Sequence, residues 1–261
     1  MEDIQNGRPV LAINLRVAPE WGVITGYTDD GNRFLCRTYF DEEVFHALES
    51  EEADSEDRRL VFEENGEYLF SDFWPFIIIH FGEKNDVPPP LEVLNTSLTT
   101  LIDSFNAKEC RGYYQGREAY REWIKGLSKE FDFSMSDKEN AMRRMDVNDS
   151  MICSLIDSRC AAAAWLRSVN QNISEKAEEC KQQKEYLEKM AANCQYISDM
   201  FTEFRDKLHN SFSCEKSYNT INAHGASSPA LRAEQINLLE NALIIDDENC
   251  RLAKLILNCY F

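Results

Sequence analysis

Three consecutive prolines, Pro88-Pro89-Pro90, constrain this chain more than any other feature. Proline has no backbone N–H and holds φ near about −65°, so a run of three continues neither a strand nor a helix interior. The sequence also changes character there. Ahead of the prolines, apolar residues come in short runs separated by turn signals; behind them they recur three and four apart. The expected division is a strand-rich region over 1–90 and a helical region over 91–261. The fold class that follows is α+β, a small antiparallel sheet and then a mainly helical region.

In the first region Pro9–Leu15 and Trp21–Tyr27 read as strands. The stretch Thr28-Asp29-Asp30-Gly31-Asn32 carries Asp-Gly-type chemistry, which supplies the positive φ of a tight turn, and Arg33–Tyr39 returns as its partner. Glu67–Phe70 is a further candidate strand. Trp74–Phe81 reads as a buried one, with His80 a core histidine. Glu49–Arg59 is a charged excursion. In the second region Leu94–Phe105 and Gly116–Leu127 are amphipathic helices. A third is expected to start at Asn148 or Asp149, polar residues suited to an N-cap. Ile173–Leu208 reads as one long helix and 211–228 as a loop. Two short helices, Pro229–Leu243 and Asp246–Cys259, close the chain.

The formal net charge is −18, and residues 29–67 alone hold fourteen acidic and four basic residues. Phosphates would be repelled by such a surface, so nucleic acid is excluded as a partner. No run reaches the roughly 18 apolar residues of a membrane span, and the amino terminus has neither the basic start nor the apolar run of a secretory signal. Nine cysteines at irregular spacing, with no Cys-x-x-Cys pair, read as free and mostly buried thiols of a reducing cytoplasm. With only four histidines there is little material for a metal site, and no cofactor motif is present.

No residue set forms a complete catalytic constellation. Cys36 is the one nucleophile candidate, because the following Arg37 would favour its thiolate, yet no histidine falls on the facing strand Trp21–Tyr27. Paired acids such as Asp29-Asp30 and Asp41-Glu42-Glu43 lie in hydrophilic turns, the opposite of the shielded setting that acid–base work needs. The aromatic residues Trp21, Tyr39 and Trp74, with Glu20, are the candidate ligand-binding set.

Two stretches carry a resemblance. Gly7-Arg8-Pro9-Val10-Leu11-Ala12, then Pro19-Glu20-Trp21-Gly22-Val23-Ile24-Thr25-Gly26-Tyr27, an acidic turn and Arg37-Thr38-Tyr39, resemble the strand pair in the back half of papain-like proteins. The type is the butirosin biosynthesis protein H family. Downstream, Gly116–Trp123 and Asn148 through Asp157–Ala163 resemble the helical region that follows in such proteins. The resemblance implies a half papain-like sheet, acyl transfer as the ancestral chemistry and an acyl carrier protein as a partner. It also implies a nucleophilic cysteine ahead of these strands, which this sequence does not contain. Glu20, Trp21 and Gly22 stand where the family's histidine is expected, so its activity maps onto no residue here.

The reading that follows is a non-catalytic or partner-dependent binding module for a small amphiphilic ligand or a protein. Two alternatives stand beside it. One is an acyltransferase or amide hydrolase using Cys36; the other is a self-associating structural protein. A homo-oligomer is expected, because a sheet this small leaves an unpaired edge.

Overall fold

The computed structural model describes residues 1–13, 15, 21–28, 31, 33–38, 68–70, 77–172, 178–210 and 228–258. They form an α+β protein that divides into two compact units, Met1–Asp86 and Val87–Phe261. The Glu49–Arg59 excursion, Asp41–Glu43, His46 and residues 211–227 lie outside the described residues.

In the first unit a short helix α1 (Glu2–Gln5) precedes strands β1 (Val10–Ile13), β2 (Trp21–Thr28), β3 (Arg33–Thr38), β4 (Tyr68–Phe70) and β5 (Ile77–Ile79). Every pairing is antiparallel, and the strand order is β4-β3-β2-β1-β5. Gly31 sits between β2 and β3 at φ 95°, the left-handed conformation that the turn chemistry predicts there. The register aligns Val10 with Ile24 and Ile24 with Cys36. These three, with Ala12 and Leu15, are buried, and Ile4 of α1 packs against them. Because strand side chains alternate, the opposite face carries Leu11, Ile13, Trp21 and Val23.

Two expectations fail in β5. Ile77, Ile78 and Ile79 are 43%, 44% and 41% exposed, not buried. An unbroken apolar run reads as a central strand, but among the described residues this one pairs with β1 alone and lies at an edge. His80 is likewise no core histidine. Its side chain is 64% exposed, and its Nδ1 lies 2.6 Å from Asp3 Oδ2.

The second unit is helical: α2 (Pro90–Asn106), α3 (Gly116–Leu127), α4 (Lys138–Asn172), α5 (Glu178–Asn210) and α6 (Pro229–Asn258), with a hairpin of β6 (Glu109–Cys110) and β7 (Tyr113–Tyr114) between α2 and α3. Pro90 occupies the first turn of α2, where its missing N–H costs nothing. No glycine or proline interrupts α4 or α5, and the only proline of α6 is its first residue, so each runs 30 residues or more. This overturns two sequence expectations. Asn148 and Asp149 do not start a helix; they lie in the middle of α4 and are buried. The two expected C-terminal helices are one, with Asp246 inside it. In each case a polar residue suited to capping is held in mid-helix by a tertiary partner.

Ties between side chains fix the helix directions. Asp149 pairs with Arg205, and Ser198 Oγ donates to the Ile156 carbonyl, so α4 and α5 are antiparallel. Lys207 meets Glu234 and Lys189 meets Glu248, so α5 and α6 are antiparallel too. The core between them holds Ile152, Ile197, Phe201, Leu239 and Leu252, each at most 1% exposed. Burying a side chain of that size contributes about 1.5–3 kcal/mol. No helix among the described residues is long and apolar enough to cross a membrane.

Candidate functional site

Of the four residues singled out as a ligand-binding set, the structure describes only Trp21. It is 39% exposed on β2 and borders a hollow of about 270 Å³ with Leu11, Val23 and Arg37. Glu20, Tyr39 and Trp74 lie outside the described residues. Cys36 is completely buried in the sheet core. Its neighbour Arg37 lines the hollow instead, because consecutive strand residues point to opposite faces.

The helical unit holds a larger hollow, about 620 Å³, in the gap between α3 and α4. Its walls are Phe105, Ala119, Trp123, Val147, Met151 and Leu155. That volume lies within the roughly 300–1,000 Å³ of small-molecule sites, as does the mainly apolar lining. Gly116 sets one end. It stands at φ 51° against the backbone of Phe105, and any side chain there would collide with the Phe105 carbonyl. Arg117 then locks α3 in place: its Nε donates to Asp247 Oδ1 at 2.6 Å, and its guanidinium lies 4.5 Å from the centre of the Phe105 ring.

The polar end of the hollow is built around Asp246. Tyr120 Oη donates to Asp246 Oδ2 at 2.8 Å, and Arg159 Nη2 donates to the same oxygen at 2.5 Å. Asn249 Nδ2 donates to Oδ1 at 3.3 Å, and Asn193 in turn donates to Asn249 at 2.8 Å. Burial raises the Tyr120 pKa, and the neighbouring carboxylate raises it further, so the phenol remains a donor. Burial works against the charge on Arg159, but the Asp246 carboxylate outweighs it and the net shift is upward. Arg159 Nε is buried and has no hydrogen-bond partner among the described residues. Burial also pushes the Cys194 thiol up to about 11, against a lowering by Arg159. Near neutral pH Cys194 is thus a protonated thiol and a poor nucleophile.

Along one side of the hollow Ser150, Ser154 and Ser158 follow at four-residue spacing. Ser154 and Ser158 donate to carbonyls of their own helix, at 2.9 and 3.1 Å. Their oxygens keep lone pairs to offer as acceptors. Trp123 also lines a second hollow of about 640 Å³, with Tyr113, Tyr114, Leu127 and Arg144. The indole is held by a second buried group. Trp123 Nε1 donates to Asn148 Oδ1 at 2.7 Å, and Asn148 exchanges bonds of 2.8 and 2.9 Å with Gln235.

Sequence reasoning missed this site. Its components were visible as a helix face (Ala119, Tyr120, Trp123) and as misread caps (Asn148, Asp246). What would have flagged them is the absence of any glycine or proline around those caps, which forces the polar residues inside continuous helices. Among the described residues no group of acidic, histidine and cysteine side chains is arranged to hold a metal ion. Compared with known proteins, the chain matches no family model, no curated protein and no solved structure.

Proposed function

We propose that this protein is a binding module whose helical unit takes a small amphiphilic ligand in the hollow between α3 and α4. The observation that carries this reading is the composition of that hollow. A body of about 620 Å³ is walled by Phe105, Trp123, Met151 and Leu155, and it ends at a fixed Tyr120–Asp246–Arg159 group. An apolar ligand body displaces water from the walls, while a hydrogen-bonding head meets serine acceptors on one side and Arg159 at the end. Arg159 is balanced by Asp246, so the site favours a neutral or weakly anionic head over a strongly charged one. This keeps the reading of a non-catalytic binding module and moves its site from the sheet to the helices. The setting we infer is cytoplasmic, in keeping with six free cysteines among the described residues.

The test uses N-phenyl-1-naphthylamine, a neutral fluorescent probe with an apolar body and one N–H donor for the serine acceptors. Titration should give saturable binding to the native chain at one strong site. Ser154→Trp places an indole in the hollow from an exposed position and should weaken binding at least about tenfold with the melting temperature unchanged. Trp21→Ala, at the sheet hollow, should leave it unchanged. Loss with Trp21→Ala but not with Ser154→Trp would return the site to the sheet. Equal binding by all three proteins would refute a defined site.

A further inference from the structure

We infer that the ligand is a linear long-chain amphiphile of the fatty-acid type, whose tail passes from the first hollow of the helical unit into the second along α3 and α4. This deepens the small-ligand reading proposed above and rests on it. The two hollows adjoin. Ala119 and Trp123 of α3 and Val147 and Met151 of α4 border both. α3 packs on α6 and α4 on α5, while the α3 and α4 backbones make few close approaches to each other. Along α3 the first hollow runs from Gly116 to Trp123, and the second carries on to Leu127. At the helical rise those spans are about 10 Å and, for the pair, about 17 Å. On α4 the lining of the pair extends from Arg159 back to Asn140, about 28 Å.

Length, wall chemistry and a missing side chain decide the occupant. Two acyl chains end to end fill a bilayer core of about 30 Å, so one long chain reaches about 15 Å. That exceeds the first hollow along α3 and matches the pair. The four shared wall residues are apolar apart from the Trp123 N–H, which is already given to Asn148. A peptide strand would bring a donor and an acceptor with every residue and leave them unmet against such walls. A methylene chain brings neither. The Tyr120–Asp246–Arg159 group at the end of the first hollow receives the head. Gly126 supplies the independent observation. Glycine weakens a helix interior, yet Gly126 lies within α3. Its φ is not positive, and among the described residues an added Cβ would meet nothing within 4 Å. Neither the backbone nor packing requires glycine there. What the missing side chain leaves is width in the second hollow, which Gly126 lines.

The test displaces N-phenyl-1-naphthylamine from the full chain with octanoic and hexadecanoic acids, each kept below its micelle concentration. Affinity should rise at least about tenfold from the short acid to the long one. Gly126→Phe places a ring in the second hollow and should cut that rise to about threefold or less. Octanoic acid and the probe should bind this variant as they bind the wild type. Ser154→Trp, in the first hollow, should weaken both acids and the probe. A full rise retained by Gly126→Phe overturns the long-chain inference, and so does equal binding of the two acids by the wild type; either result leaves the small-ligand reading standing. A wild type with no saturable probe site overturns both. If Gly126→Phe lowers the melting temperature, Gly126→Leu, with a stronger helix former, decides by the same comparison.

Discussion

The two units of this chain each break the usual rule of burial at particular residues. The helical unit buries Asp246, Asn249, Asn148 and Gln235, each at most 6% exposed, while the sheet unit leaves Ile77, Ile78, Ile79 and Trp21 about 40% exposed. Three long helices packed side by side enclose enough volume to shield a hydrogen-bonded polar group, and most polar atoms inside are then paired, Arg159 Nε being an exception. Among the described residues the five-stranded sheet buries one face, with a four-residue helix beside it. Trp21 on its other face and Ile77–Ile79 in β5 stay partly exposed. The lesson is that residue type predicts burial poorly where unit size decides it. The buried aspartate and the partly exposed isoleucines are each local exceptions.

The largest expected effect lies at the buried carboxylate. Asp246→Ala leaves Arg159, the Tyr120 hydroxyl and Asn249 without their shared acceptor. Because a charged group is stranded, the cost should be about 3–5 kcal/mol. Urea denaturation followed by far-ultraviolet circular dichroism reads it, since that signal comes mainly from the helices. A loss under about 1 kcal/mol would mean that the site is solvated and that the contrast with the sheet unit does not hold.

A smaller effect tests the sheet unit, whose stability depends on backbone conformation more than on buried polar groups. Gly31→Val forces a β-branched residue into φ 95° and should cost about 1 kcal/mol or slightly more. Hydrogen exchange at the amides of β2 and β3 should accelerate while those of α4 to α6 keep their protection. Faster exchange in both units together would show that they unfold as one, and would erase the comparison.

The smallest effect belongs to the surface of the helical unit. Hydrogen bonds from Arg251 and then Lys189 hold the Glu248 carboxyl at about 2, below its ordinary 4.5. A depressed carboxylate stabilises the fold above its unfolded value, and the contribution is lost as pH falls through about 2. The pairs face solvent and are screened, so Glu248→Gln should cost only about 0.5 kcal/mol at neutral pH. The difference from wild type should shrink as pH falls from 4.5 toward 2. A neutral-pH cost close to that of Asp246→Ala would show that exposed pairs matter as much as the buried one.

Much of the fold was legible from the sequence alone, for physical reasons that are local. The Gly31 turn, strands β1 to β3 and the change to helix at the triple proline all rest on backbone conformations that particular residues require or forbid. The α+β class follows from period. Of the apolar stripe Leu94, Leu98, Leu101, Ile102 and Phe105 expected on α2, Leu94, Leu98 and Phe105 are buried, Ile102 is partly buried and Leu101 is 38% exposed. Tertiary structure alone decided where helices do not begin and which apolar run does not enter a core. Asn148 and Asp246 have the chemistry of caps, and only Trp123 and Gln235, or Tyr120 and Arg159, brought from distant parts of the chain, make them interior residues. Ile77–Ile79 has the composition of a central strand, and only the strand order puts it at an edge. Local sequence sets what a residue can do with its own backbone; which polar group finds a partner, and which strand a neighbour, depends on segments dozens of residues away.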